Sequence, residues 1–109
     1  MMEDVVRMRA SELFSALSHP VRLRIVEMLC EHELSVGEVA TRTGIGQSGA
    51  SQHLAILARA RVLVSEAHGT TRRYKTRGPR IRAILTLIKE FCHTHYFYGT
   101  PTADSVEID

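Results

Sequence analysis

Apolar runs are short throughout this chain of 109 residues. None reaches the roughly 18 residues that a membrane-spanning helix needs. The leading stretch MMEDVVRMRASELF mixes both signs of charge and has no apolar core. No secretory signal is expected from it, and the cytoplasm is the expected compartment. There is no glycine-rich phosphate loop, no His-Glu-x-x-His and no pair of acids suited to a cleft. Cysteine occurs twice, as Cys30 and Cys92, and neither sits on a loop or at a helix start, where a thiol pKa falls. An enzyme is therefore not expected, and neither is a cofactor. Internal repeats and low-complexity tracts are absent too. What remains is one domain's length of chain, 44% hydrophobic and 24% charged, the balance of a globular protein. A chain this short buries a modest share of its surface, so a second copy would help it.

Acids are scarce in the middle. Residues 42–82 hold nine Lys or Arg against one acid, Glu66, whereas residues 1–41 hold four Arg against seven acids and residues 83–109 one Lys against four. The three segments carry −3, +8 and −3 within an overall +2. A basic middle third suits a polyanion, and double-stranded DNA is the expected partner.

That third contains SVGEVATRTGIGQSGASQHLAILAR, residues 35–59. Ser35 with Glu38 three residues on is a capping box that opens a helix. Val36, Val39 and Ala40 follow at helical spacing, and Gly44-Ile45-Gly46 stops it. A second helix over residues 47–60 puts Ala50, Leu54 and Leu57 on one side. Gln47, Ser48, Ser51, Gln52, Ala55 and Arg59 fall on the other, which carries no acid and no bulky apolar residue. Such a face fits a major groove, and the arrangement is a helix-turn-helix. The plainer alternative is a helical hairpin with a solvated face.

Elsewhere, residues 5–17 form a helix with the stripe Ala10, Leu13, Phe14 and Leu17. A second helix, residues 20–31, starts at Pro20 and carries Arg22 and Arg24 where the helix dipole disfavours them. Phosphate, or Glu27 and Glu31, are their expected partners. Residues 62–67 and 72–76 read as strands about a turn at His68-Gly69-Thr70-Thr71, making a basic hairpin behind the recognition helix. The last helix, residues 79–95, bears Ile81, Ile84, Leu85, Ile88, Phe91, Cys92 and His95 on one long stripe. With the first helix it is the expected homodimer interface. Residues 1–98 are read as one DNA-binding and dimerisation domain, and 99–109 as a loose acidic tail.

The segments LSHPVRLRIVEML, ELSVGEVA, GIGQSGASQHLAILARARVLVSE and GTTRRYKT, in the order α-α-α-α-β-β-α, resemble the ArsR/SmtB family of winged-helix repressors. The resemblance spans roughly residues 10–95. It implies a mainly helical winged helix-turn-helix, homodimeric through its first and last helices, that leaves a palindromic operator when an inducer binds. It implies base contacts from Gln47, Ser48, Ser51 and Gln52, backbone contacts from Thr41 and Arg42, and groove-edge contacts from the hairpin including Arg72 and Arg73. His53 falls toward the buried flank.

Two familiar metal sites of that family are broken here: Ser35 stands where a cysteine would, and Arg80, Arg82 and Tyr96 replace ligands of the last helix, with only His93 fitting. Cys30 and Cys92 resemble the thiol pair of the persulfide- and redox-sensing members, of the BigR and SqrR kind. Cys92 matches their second cysteine, whereas Cys30 lies one turn beyond the position of their first. A dithiol switch responding to reactive sulfur or oxidant is the leading expectation for the inducer. A metal or metalloid site from Cys92, His93 and His95, or no inducer site, are the alternatives; two buried thiols acting as small hydrophobes would be the plainest outcome. A third functional class, a module whose basic face binds an acidic protein, stays open at this point.

Overall fold

The computed structural model describes residues 1–97. Five α-helices and three short strands follow in the order α1 (Asp4–Leu17), α2 (Pro20–Glu31), β1 (Leu34–Ser35), α3 (Val36–Thr43), α4 (Gln47–Arg59), β2 (Leu63–His68), β3 (Thr71–Thr76) and α5 (Pro79–Cys92), with a π-helical continuation over His93–Phe97. The expected acidic tail, 99–109, lies outside the described residues. Among the described residues no helix is long and apolar enough to cross a membrane.

One core holds these elements together. Ile25, Val26 and Leu29 of α2 meet Val39 and Ala40 of α3, and Ala50, Leu54 and Leu57 of α4. Val62, Leu63 and Leu34 close it from the sheet side, and Ala16 and Leu17 from the end of α1. Ile25, Val39, Leu54 and Leu57 have no exposed surface at all. Each such side chain contributes about 1.5–3 kcal/mol through burial. Among the described residues no polar or charged residue is buried with them.

Two differences from the sequence expectation have physical causes. The hairpin is not two-stranded: β1 pairs antiparallel with β3, Leu34 opposite Tyr74 and Ser35 opposite Arg73, so the sheet order is β1-β3-β2. Two residues are too few to show a strand period, which is why β1 was invisible. Arg22 and Arg24 do not pair with Glu27 or Glu31. The Arg22 guanidinium donates to the Ala16 carbonyl at 2.6 Å, and that of Arg24 to the Arg42 carbonyl at 2.9 Å. Both therefore serve helix C-termini, of α1 and α3, where a cation is favoured. In line with the expectation that these stripes lack cover within a single chain, α5 buries no residue completely and Phe14 of the α1 stripe is 60% exposed.

Candidate nucleic-acid interface

The interface begins at α3. The Ser35 hydroxyl accepts from the Glu38 N–H at 3.2 Å, and the Glu38 carboxylate accepts from the Ser35 N–H at 2.9 Å. The Ser35 N–H holds the Glu38 carboxyl below the usual carboxylate range, with the Ser35 hydroxyl and then Arg73 and Arg42 adding to it. Gly44 ends α3 at φ +77°, a left-handed position that glycine takes without a Cβ clash. Gly37 sits where α3 faces α4, and a Cβ there would lie 3.2 Å from the Gln47 side-chain nitrogen. A small residue at 37 thus lets the Gln47 side chain lie against α3.

Helix α4 then divides cleanly. Ala50, Leu54 and Leu57 are buried, while Gln47, Ser48, Ser51, Gln52, Ala55 and Arg59 are exposed. Thr41 and Arg42 of α3 are exposed too. His53 lies on the flank between the two sides. Its ring stands 4.7 Å from that of His19, and its Nδ1 is 3.3 Å from a terminal nitrogen of Arg22. Because arginine can only donate, Nδ1 must accept, which requires an unprotonated Nδ1. Burial first, then His19 and Arg22, push the His53 pKa down. His19 itself caps α2, accepting the Val21 N–H on Nδ1 at 3.1 Å.

The hairpin reverses at Gly69, φ +63°. Arg72 is exposed, and its guanidinium donates to the Ser65 hydroxyl at 2.9 Å. Arg73 points back to α3 instead. It donates to the Glu33 carbonyl at 2.7 Å and reaches the Glu33 and Glu38 carboxylates at 3.5 and 3.3 Å. Arg73 thus fastens the hairpin to the start of the helix-turn-helix. Nothing in the sequence separates the two neighbouring arginines except strand alternation, which sends them to opposite faces.

Of the sensing candidates, Cys30 is half-buried and lines a hollow of about 440 Å³ between α2 and α5, with Leu23, Glu27, Leu85 and Ile88. Burial pushes its thiol pKa up; Arg82 opposes this, and Glu31 and Glu27 reinforce it. Arg82 donates to the Cys30 carbonyl and to the Glu31 carboxylate. Cys92, at the end of α5, is also half-buried and free, and it does not line that hollow. Cys92, His93 and His95 do not converge: among the described residues no three of His, Cys, Asp and Glu are grouped to hold a metal ion. The His95 ring instead lies 4.3 Å from that of Phe91.

Two short helices about a glycine turn, the second with a polar outer face, followed by a basic hairpin, define a winged helix-turn-helix DNA-binding domain. Residues 19–65 match the family described as bacterial regulatory protein, arsR family. The uncharacterized HTH-type transcriptional regulator Rv0081 of Mycobacterium tuberculosis is 35% identical over 89 residues, covering 81% of this chain and 77% of the relative. Its crystal structure superposes with a TM-score of 0.74 over 85% of this chain and 93% of that one, at 32% identity. The transcriptional activator HlyU of Vibrio cholerae is 35% identical over 80 residues, 73% of this chain and 74% of HlyU. The structure of reduced HlyU gives a TM-score of 0.69 at 32% identity, over 86% and 95% of the two chains. A homodimeric winged helix-turn-helix domain of Mycobacterium bovis, 22% identical, shares the fold at a TM-score of 0.81 over 92% and 95%. This chain belongs to the ArsR family of transcriptional regulators and carries that family's DNA-binding winged helix-turn-helix.

Proposed function

We propose that the protein is a cytoplasmic, homodimeric repressor that binds a palindromic operator and is released when Cys30 and Cys92 are oxidised or persulfidated. The observation that carries the operator reading is the division of α4: Gln47, Ser48, Ser51 and Gln52 stand in solvent opposite three buried apolar residues. In the bound complex these four read base edges, Thr41 and Arg42 meet the backbone at the turn, and Arg72 follows the groove edge. Arg73 supports the hairpin from behind, and its own contact with phosphate requires release from Glu33 and Glu38. The apolar residues left exposed on α1 and α5, among them Val5, Met8, Phe14, Leu87 and Phe91, support a second copy as their cover. Two copies then present two α4 helices to half-sites about one DNA turn apart.

A panel of duplexes from the gene's own upstream region tests this. Tight binding to one imperfect palindrome is expected, with log affinity falling steeply against log salt. Equal retention of a scrambled duplex would overturn it. The thiol reading rests on Cys30 and Cys92 lying on helices that pack together, and on one relative's structure being that of a reduced form. Operator release by polysulfide or peroxide, lost in Cys30→Ser or Cys92→Ser, is the expected outcome. Release by Zn, Cd or As(III) alone would replace it with a metal-responsive reading.

A further inference from the structure

At the foot of the hairpin lies a basic hollow that no reading above uses. It measures about 420 Å³ and is lined by Arg61, Arg77, Gly78, Pro79, Arg80 and Ile81. Three arginines and no acid form its wall. Elsewhere most arginines of the chain have partners: carboxylates for Arg7, Arg9, Arg73 and Arg82, carbonyls for Arg22 and Arg24. The guanidinium groups of Arg61 and Arg80 have none among the described residues. Arg77 spends its Nε on the Arg61 carbonyl at 2.9 Å and its backbone N–H on the Val62 carbonyl at 3.0 Å. Its two terminal nitrogens have no partner among the described residues.

Two further features carry a local cost, and a counter-charge would offset the second. The chain leaves α4 with the Val62 N–H bonded to the Leu57 carbonyl and the Arg61 N–H to the Ala58 carbonyl, both at 3.0 Å. This is a Schellman close, and its left-handed position is normally filled by glycine. Here it is Arg61, at φ +65°, the one non-glycine residue with positive φ among the described residues. Next to it, α5 starts at Pro79 after Gly78 with no side-chain cap and no acid in its first turn. Arg80 occupies that turn instead, against the helix dipole.

We infer that this hollow is a seat for a phosphate-type oxyanion. Guanidinium forks match phosphate oxygens in two-bond geometry, and the start of α5, where Pro79 has no N–H and the Ile81 N–H donates to the Gly78 carbonyl at 3.4 Å, adds the Arg80 N–H and a favourable dipole. Pro79 and Ile81 leave an apolar wall on which a small organic group attached to the phosphate can rest. The seat does not depend on the operator reading. It lies about 20 Å from the hairpin turn, across the six residues of β3, and about 20 Å from Gln47, the length of α4. The phosphate has two sources at that remove: operator backbone flanking a half-site, or a free phosphorylated compound acting as effector.

The test titrates 15N-labelled full-length protein with sodium phosphate against sodium chloride at matched ionic strength. The Arg61→Gly/Arg80→Gln variant runs alongside. Glycine is at ease at the backbone angles of position 61, so the variant keeps the fold, and an unlowered Tm verifies that. Saturable shifts of the Arg61, Gly78, Arg80 and Ile81 amides are expected, with affinity at least about tenfold weaker in the variant. Operator titrations across salt then separate the sources. A log–log slope shallower in the variant by about one per bound protomer assigns the seat to DNA backbone. An unchanged slope assigns it to a free phosphate compound. Shifts that fail to saturate, that match those in chloride, or that persist in the variant overturn the seat, whatever the operator data show.

Discussion

Gln52 and His53 are adjacent in sequence and opposite in circumstance. Gln52 stands in solvent on the outer side of α4, where its amide offers a donor and an acceptor at once. Gln52→Ala removes those groups without opening a cavity. Operator affinity is expected to fall by about 1–3 kcal/mol, with discrimination relaxed at one base position. The Tm is expected to stay put, since exposed substitutions cost within about 0.5 kcal/mol. His53 is turned inward against His19 and Arg22, and its pKa is lowered. In the folded chain a proton on His53 removes the acceptor that Arg22 uses and puts a cation beside it. The unfolded chain takes up that proton more readily, at a pKa of about 6.5. Stability from this group is therefore complete above that pH and is lost as pH falls toward the lower folded value. Thermal melts from pH 7.5 to 5.5 should show the decline in the wild type and a shallower one in His53→Gln. Equal slopes would remove His53 from the account.

At the scale of elements, the turn and the arginines of α2 matter most. Gly44 holds φ +77° with open space around its Cα, so adding a Cβ meets no neighbour and only the backbone conformation is penalised. Gly44→Ala should cost about 1–2 kcal/mol and lower the Tm by several degrees, measurable by denaturant unfolding with unchanged m-value. Operator binding by the folded fraction should survive. The capping box at Ser35, this glycine and the apolar side of α4 were all legible in the sequence, because each depends on spacings within one turn of helix. Arg22, Arg24 and Arg73 were not. Their partners lie 6, 18 and 35–40 residues away in the chain. No local pattern records a carbonyl supplied by another helix. Nor do β1 and the left-handed Arg61 leave a mark in the sequence, since the residue type at each gives no turn or strand signal.

The whole molecule leaves apolar surface on α1 and α5 that its own core cannot use. Leu87 is 66% exposed and Phe91 55%. If a second protomer covers them, charge at these positions should separate the copies. Leu87→Glu/Phe91→Glu is expected to sediment as a monomer at concentrations where the wild type is a dimer. Operator affinity should then drop to that of a single half-site, while circular dichroism stays helical because these side chains lie outside the core. Wild-type Tm should also rise with protein concentration, as dimerisation coupled to folding requires.

Sequence alone determined the helical order, the division of α4 into a buried and a polar side, the cationic middle third and the family that these features resemble. All of that is written in short-range periodicity and charge, which neighbouring residues express without help from the rest of the chain. Tertiary structure decided which arginine is bound and which is open. Arg73 is drawn to Glu33 and Glu38, Arg82 to Glu31, and Arg61 and Arg80 are left beside a hollow without an acid. The reason is that a guanidinium on a long side chain takes its partner from whatever the fold brings within reach, and the fold brings together residues that the sequence keeps far apart.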